Sequence, residues 1–187
     1  MLENELKNIG YPNHCIHVGP IIRQEEEYRD VGIETRQKIV KRIMTFFRHV
    51  RISWYEVHIE KKTVQDEIAA VGQLSKKLSA FVREHLEYLQ SFEKIIIYYD
   101  NGQVEVNKIL SSVFNIFLEN VEFRKVIPAE YRLFQVADLI CTLQLTELKL
   151  QNHRLSKSDL LFFQDERTLK KNYLKPMHEK KIGDNKE

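Results

Sequence analysis

The chain has 187 residues, 43% hydrophobic and 30% charged, enough for one soluble domain with a sizeable core. Its 29 Lys+Arg against 27 Asp+Glu leave a formal net charge of +2, which neither demands nor excludes a nucleic-acid partner. Its 2 cysteines, Cys15 and Cys141, make no disulfide framework, and its 6 glycines form no phosphate-cradling loop of the dinucleotide or P-loop kind.

No apolar run approaches the roughly 20 residues of a bilayer span, and "MLENELKNIGYP" lacks the basic-then-apolar pattern of a secretion signal. A cytoplasmic protein of bacterial type, without a membrane partner, is the expectation.

Leu2, Leu6 and Ile9 recur at helical spacing until Gly10, Tyr11 and Pro12 end a short helix. "HCIHVGPII" follows as an extended apolar segment closed by Gly19 and Pro20. "IETRQKIVKRIMTFFRHV" puts Ile39, Ile43, Phe46 and Phe47 on one stripe, which predicts an amphipathic helix with Thr35 near its start. "ISWYEVHIE" alternates over Ile52 to Glu60, with Trp54, Glu56, His58 and Glu60 on one face, and predicts a strand with one wet or functional side. A long helix is expected from about Thr63 to Phe92.

"KIIIYYDNG" is the strongest strand signal, and its unbroken apolar run suits a central strand covered on both faces. "QVEVNKILSSVFNIFLEN" reads as the next helix and "VEFRKVI" as a short strand stopped by Pro128. A helix then runs to about Gln151, Ser156 is placed to cap a last helix through "LLFFQDERTLKKNYL", and Pro176 begins a polar tail. Strands interleaved with helices predict an α/β layer architecture: a single domain over 1–176 and a flexible tail over 177–187.

Two carboxylates stand out. Asp138 lies mid-helix in "YRLFQVADLICTLQL", among Phe134, Ala137, Cys141 and Leu145. A charge in apolar surroundings needs a partner, protonation or a metal. A structural salt bridge to Arg132, Arg124 or Lys125 is one answer. Gln135, three residues earlier on the same helix side, converges with it.

Asp100 ends the central strand before Asn101 and Gly102. There it serves either as a turn or cap residue or as a ligand group at the carboxyl end of a strand. Together Asp100 and Asp138 suit one Mg²⁺, which takes one or two carboxylates plus waters and activates water in phosphodiester hydrolysis.

His14, Cys15 and His17 lack the further ligand pair that a zinc site needs, leaving His17 as a proton-transfer or phosphate-contacting candidate. His58, Glu60, Lys61 and Lys62 cluster at a strand end, as a solvated rim or as supporting groups. The basic tail "RTLKKNYLKPMHEKK" either touches nucleic acid or is a solvated face.

"FQVADLI" resembles the Gln-[Leu/Val]-Ala-Asp-Leu helix motif of a large bacterial and phage family, the domain of unknown function 3800. That family is assigned to the ribonuclease-H-like superfamily. "IIIYYDN" resembles its central strand ending in aspartate, and "IHVGPIIR" its early histidine-bearing segment, so the resemblance spans Cys15 to Leu148. It implies a ribonuclease-H-like mixed sheet with flanking helices, and a metal-dependent nuclease or phosphodiesterase. Asp100 and Asp138 would be its catalytic, Mg²⁺-binding carboxylates, with Gln135 and His17 as site neighbours; Glu60 and Asn101, to which the resemblance gives no role, are further candidate supporting residues.

The family opens with an Asp-Glu-Ser-Gly strand that supplies the first acid, and no such string occurs here. The expectation is therefore an N-terminally shortened member with its first strands missing and little or no activity. The alternative is a non-catalytic binding or interaction remnant. Its exposed strand edge would pair with another chain or with a second copy of this one.

Overall fold

The computed structural model describes residues 2–60, 64–100 and 104–183. The first part of the chain forms helices α1 (Leu2–Asn8), α2 (Val18–Arg23), α3 (Ile33–His49), α4 (Glu67–Glu84) and α5 (Leu86–Gln90). Strand β1 (Ile95–Asp100), helix α6 (Val104–Phe117) and strand β2 (Val121–Val126) follow. Helices α7 (Arg132–Gln151), α8 (Lys157–Phe163), α9 (Glu166–Leu169) and α10 (Lys175–His178) complete the described chain. Glu26–Tyr28 and Pro128–Glu130 are 3₁₀ turns, and Lys170–Leu174 is a π-helical turn.

The protein is thus α/β in the broad sense, mostly helical with one two-stranded parallel sheet. No helix among the described residues is long and apolar enough to cross a membrane. The chain divides into two compact units, Met1–Tyr55 with Pro128–Glu187, and Glu56–Ile127.

The first unit is helical. Leu6, Ile16, Ile21, Ile39, Ile43, Phe47, Leu139, Leu143, Phe162 and Met177 are fully buried in one cluster. In α3 the buried positions Arg36, Ile39, Val40, Ile43 and Phe47 recur every three to four residues, the stripe its sequence predicts with one cation included. Its N-cap is Gly32 without a side-chain bond, so Thr35 does not cap it. Ser156 does cap α8: its hydroxyl accepts from the Asp159 amide at 3.1 Å, and Asp159 Oδ2 accepts from the Ser156 amide at 2.9 Å.

The second unit holds the sheet. Strands β1 and β2 pair in parallel from Ile95 opposite Val121 to Asp100 opposite Val126, joined by α6. Helix α6 packs on α4, burying Val82, Ile109 and Val113. The β1 run is not covered on both faces. Ile96 and Tyr98 remain 38% and 41% exposed, so burial alternates along the strand, and its isoleucines and tyrosines reflect β-propensity more than double burial.

Five other expectations meet corrections. The segment after His14 stays extended only through His17 and turns helical at Val18. Pro20 does not prevent this, because amides in the first turn of a helix have no intrahelical partner to lose. Ile52 to Glu60 is not a strand; only Trp54 makes a bridge, parallel to Lys181. Its indole is buried and donates to the Met177 carbonyl at 2.8 Å, so burying the largest side chain overrides the alternation that put Trp54 on the wet face.

The helix expected over Thr63 to Phe92 breaks at His85 into α4 and α5, and Asp66 caps α4 by accepting from the Ala69 amide at 2.7 Å. Thr63 lies outside the described residues. The last expected helix breaks at Gln164, whose φ of 70° and ψ of −54° form a γ-turn with the Asp165 amide bonded to the Phe163 carbonyl at 2.9 Å. Backbone of that kind costs on the order of 1–3 kcal/mol and persists where its surroundings fix it. Pro176 continues the chain into α10, where Met177 is fully buried.

Burial pushes the Asp159 carboxyl up, but bonds from Ser156 and Lys149 outweigh it and hold the group below the ordinary carboxylate range. A depressed folded value stabilises the fold above the unfolded pKa, and that contribution is lost as pH falls through the folded value. Asp159→Asn is therefore expected to lower stability at neutral pH and to flatten the loss below about pH 4, as read by urea unfolding across pH.

Candidate functional site

Among the described residues the Asp138 carboxylate does not pair with a cation. Its Oδ2 accepts the Val18 amide at 2.7 Å. Three residues earlier, Gln135 Oε1 accepts the Ile16 amide at 3.1 Å, and Gln135 is buried. The spacing explains the pairing. Amides two residues apart in extended chain point the same way and lie roughly 6.6 Å apart. Side chains at i and i+3 on a helix stand about 5–6 Å apart between their Cβ atoms. A Gln-x-x-Asp pair on α7 therefore fits the edge of the "IHV" segment.

Val18 is the first residue of α2, and its N-cap His17 supplies no side-chain bond. The carboxylate thus meets the partly positive amide end of a helix that has no cap of its own. At the other end of α2, Arg36 from α3 donates Nη1 to the Ile21 carbonyl at 2.7 Å and the Ile22 carbonyl at 3.3 Å. Its Nε reaches the Val31 carbonyl at 3.0 Å and its Nη2 the Gln24 side chain at 3.2 Å. Burial lowers the Arg36 pKa, and the last carbonyls of α2 face its guanidinium.

The candidate cations go elsewhere. Arg132 forks onto Glu3 with bonds of 2.5 and 2.6 Å, and its Nη1 donates to the His14 carbonyl at 2.5 Å and Gln135 Oε1 at 2.6 Å. The bond from Arg132 holds the Glu3 carboxyl below its ordinary value. Arg124 belongs to the second unit, where it bonds Glu122 at 2.6 Å and Tyr98 at 3.2 Å.

Around the same segment, His14 Nε2 bonds the Tyr28 hydroxyl and lies 3.7 Å from Glu27. Burial pushes the His14 pKa down and the Tyr28 pKa up. Cys15 Sγ lies 3.5 Å from His17 Nε2, and burial pushes the Cys15 thiol up, away from the thiolate form a nucleophile needs.

The first unit therefore brings together His17, Gln135 and Asp138. Asp100 and Glu60 belong to the second unit. Asp100 ends β1, and its carbonyl accepts from Asn107 at 3.2 Å. Glu60 is exposed and lies outside any helix or strand. Asn101 lies outside the described residues, as do Lys61 and Lys62.

Magnesium favours carboxylate and water oxygens, and a thiol and an imidazole 3.5 Å apart sit on the segment whose Val18 amide Asp138 accepts. Among the described residues, no group of three or more His, Cys, Asp or Glu is placed to hold a metal ion.

Sequence reasoning missed Arg36, and it set Arg132 against Asp138 where the structure sets it against Glu3, the His14 carbonyl and Gln135. Arg36 was findable: it lies three and four residues before Ile39 and Val40, on the buried stripe of α3. The actual partners of Arg132 leave no signal, because two of them are a carbonyl and a distant glutamate.

Asp138→Ala is expected to cost about 1 kcal/mol, the usual cost of a lost helix cap, and Asp138→Asn less, since an oxygen acceptor remains. Arg36→Met removes a buried charge but strands the carbonyls of Ile21 and Ile22, for an expected cost of about 2 kcal/mol. Urea unfolding of each variant checks both values.

No protein-family model, curated protein or solved structure matches the chain.

Proposed function

We propose that this chain is a ribonuclease-H-like protein of the domain-of-unknown-function-3800 type that acts by binding, with little or no phosphodiesterase activity of its own. One observation carries the reading: the Asp138 oxygen bonded to the Val18 amide at 2.7 Å. The residue that would be a metal ligand in an active member is engaged here as the cap of α2, with Gln135 docking the preceding amide. The parallel β1–α6–β2 unit and the position of Asp100 at the carboxyl end of β1 support the likeness to that fold.

A binding role also has a surface. Among the described residues β1 pairs with β2 alone, so its other edge suits strand addition by another chain or a second copy. The second reading is the Mg²⁺-dependent phosphodiesterase that the family resemblance implies, with Asp138 as a metal ligand. It is favoured by the half-exposed position of Asp138, whose carboxylate has more acceptor capacity than one amide uses.

Incubation with single- and double-stranded DNA and RNA in Mg²⁺ or Mn²⁺ separates the two. No cleavage above the buffer control is expected, and Asp138→Asn is expected to lower stability without changing Mg²⁺ affinity. Metal-dependent cleavage abolished by Asp100→Ala and by Asp138→Ala would reject the binding reading in favour of the enzyme.

A further inference from the structure

We propose that a recess of the first unit, between α3 and the segment from Gln164 to Tyr173, is a binding site for a ligand bearing a phosphate group. The recess holds about 500 Å³. One wall is a stripe of α3 carrying Lys41, Arg42 and Arg48; the other presents Gln164, Thr168 and Asn172, four residues apart on successive turns. No carboxylate is among its described lining residues. Three cations with hydroxyl and amide donors, and no acid between them, match the several acceptor oxygens of a phosphate.

The carboxylates nearby are already engaged. Glu5 lies 3.5 Å from Arg42, and Asp165 accepts the Thr168 amide at 2.6 Å and hydroxyl at 3.1 Å. The Lys41 ammonium has no carboxylate partner among the described residues. Arg42 and Arg48 keep donors beyond those they use: Arg48 gives one to the Asn172 carbonyl at 2.5 Å, which ties the two walls together. Gln37 does the same at one end of the stripe, donating to the Phe162 carbonyl at 2.6 Å.

The second wall is built from unusual backbone. The γ-turn at Gln164 ends α8 at the mouth of the recess, and the π-helical turn Lys170–Leu174 carries Asn172. Turns of the π kind recur at functional sites, and here they set polar side chains along a basic helix face. The neighbouring recess lined by Arg167, Lys170, Lys171 and Lys175 also contains Glu166, which lies 3.3 Å from Lys170. That carboxylate is part of the lining itself, whereas Glu5 pairs with Arg42 without lining the α3 recess, which favours the α3 recess as the phosphate site.

The volume exceeds that of an inorganic phosphate and falls in the roughly 300–1,000 Å³ range of small-molecule sites. The ligand is therefore a phosphate monoester of nucleotide size, free or as the end of a nucleic-acid strand. This inference is independent of the role assigned to Asp138.

The test follows backbone amide resonances of the full chain at constant ionic strength. The probes are inorganic phosphate, a nucleoside 5′-monophosphate, and one short oligonucleotide with and without a 5′-phosphate. Saturable shifts at Gln164, Thr168 and Asn172 are expected. Lys41→Gln is expected to weaken affinity about tenfold, the scale of one charge-assisted contact. Lys41→Arg should retain binding, and Lys170→Gln in the neighbouring recess should leave it unchanged.

Tighter binding of the monophosphate supports a free small-molecule ligand, and tighter binding of the phosphorylated strand supports a nucleic-acid end. The proposal is overturned by shifts that do not saturate, by equal binding of the unphosphorylated strand, or by a folded Lys41→Gln variant that binds like the wild type.

Discussion

Helix α2 is six residues long, and an isolated helix of that length is not stable in water. It forms because both of its ends are supplied from elsewhere. Asp138 on α7 takes the first amide, Gln135 takes the amide two residues before it, and Arg36 on α3 takes the last carbonyls. Negative charge meets the amide end and positive charge the carbonyl end, as the helix dipole favours. Between these polar contacts, Ile16, Val18, Ile21 and Ile22 are buried in the main core. The apolar burial and the polar clamp depend on each other: without the clamp the segment has orphan backbone groups, and without the burial the clamp has nothing to hold.

The clamp also bears on chemistry. A cation bound at Asp138 Oδ2 would have to share or displace the Val18 amide, and displacing it would loosen the end of α2. An ion taken up by that oxygen would draw on its second lone pair and weaken the bond that caps the helix. Coupling of that kind makes metal capture cost part of the fold's own stability, which is why the binding reading is preferred over the enzyme.

Much of the fold was legible. Helices α3, α6 and α7 follow apolar patterns, β1 follows a β-branched and aromatic run, β2 follows the short segment stopped before Pro128, and the α8 cap follows Ser156. What escaped depended on single local contests. Trp54 is buried by its size against the alternation around it, and Gln164 breaks a helical pattern through an unusual backbone state without glycine. The site was half legible. Gln135 and Asp138 were recognisable as a converging polar pair, but their partners are the amides of Ile16 and Val18. Every residue except proline carries an amide, so such a partner leaves no signature in residue type, whereas a salt bridge or a metal would have.

The second unit presents the opposite economy. A pair of strands is marginal without a covered face, and parallel strands occur almost always with both faces covered. Here α4 and α6 supply one small cluster with Val82, Ile109 and Val113 at its centre, while Ile96 and Tyr98 stay substantially exposed on β1. A cross-strand contact partly offsets this: Arg124 lies over the Tyr98 ring at 5.8 Å and bonds Glu122, which Lys94 also contacts. These groups hold two strands in register but leave apolar side chains and, among the described residues, both outer strand edges in position to be covered. A parallel pair with that surface has more to gain from an added strand than the helical unit, whose core is already closed around α2.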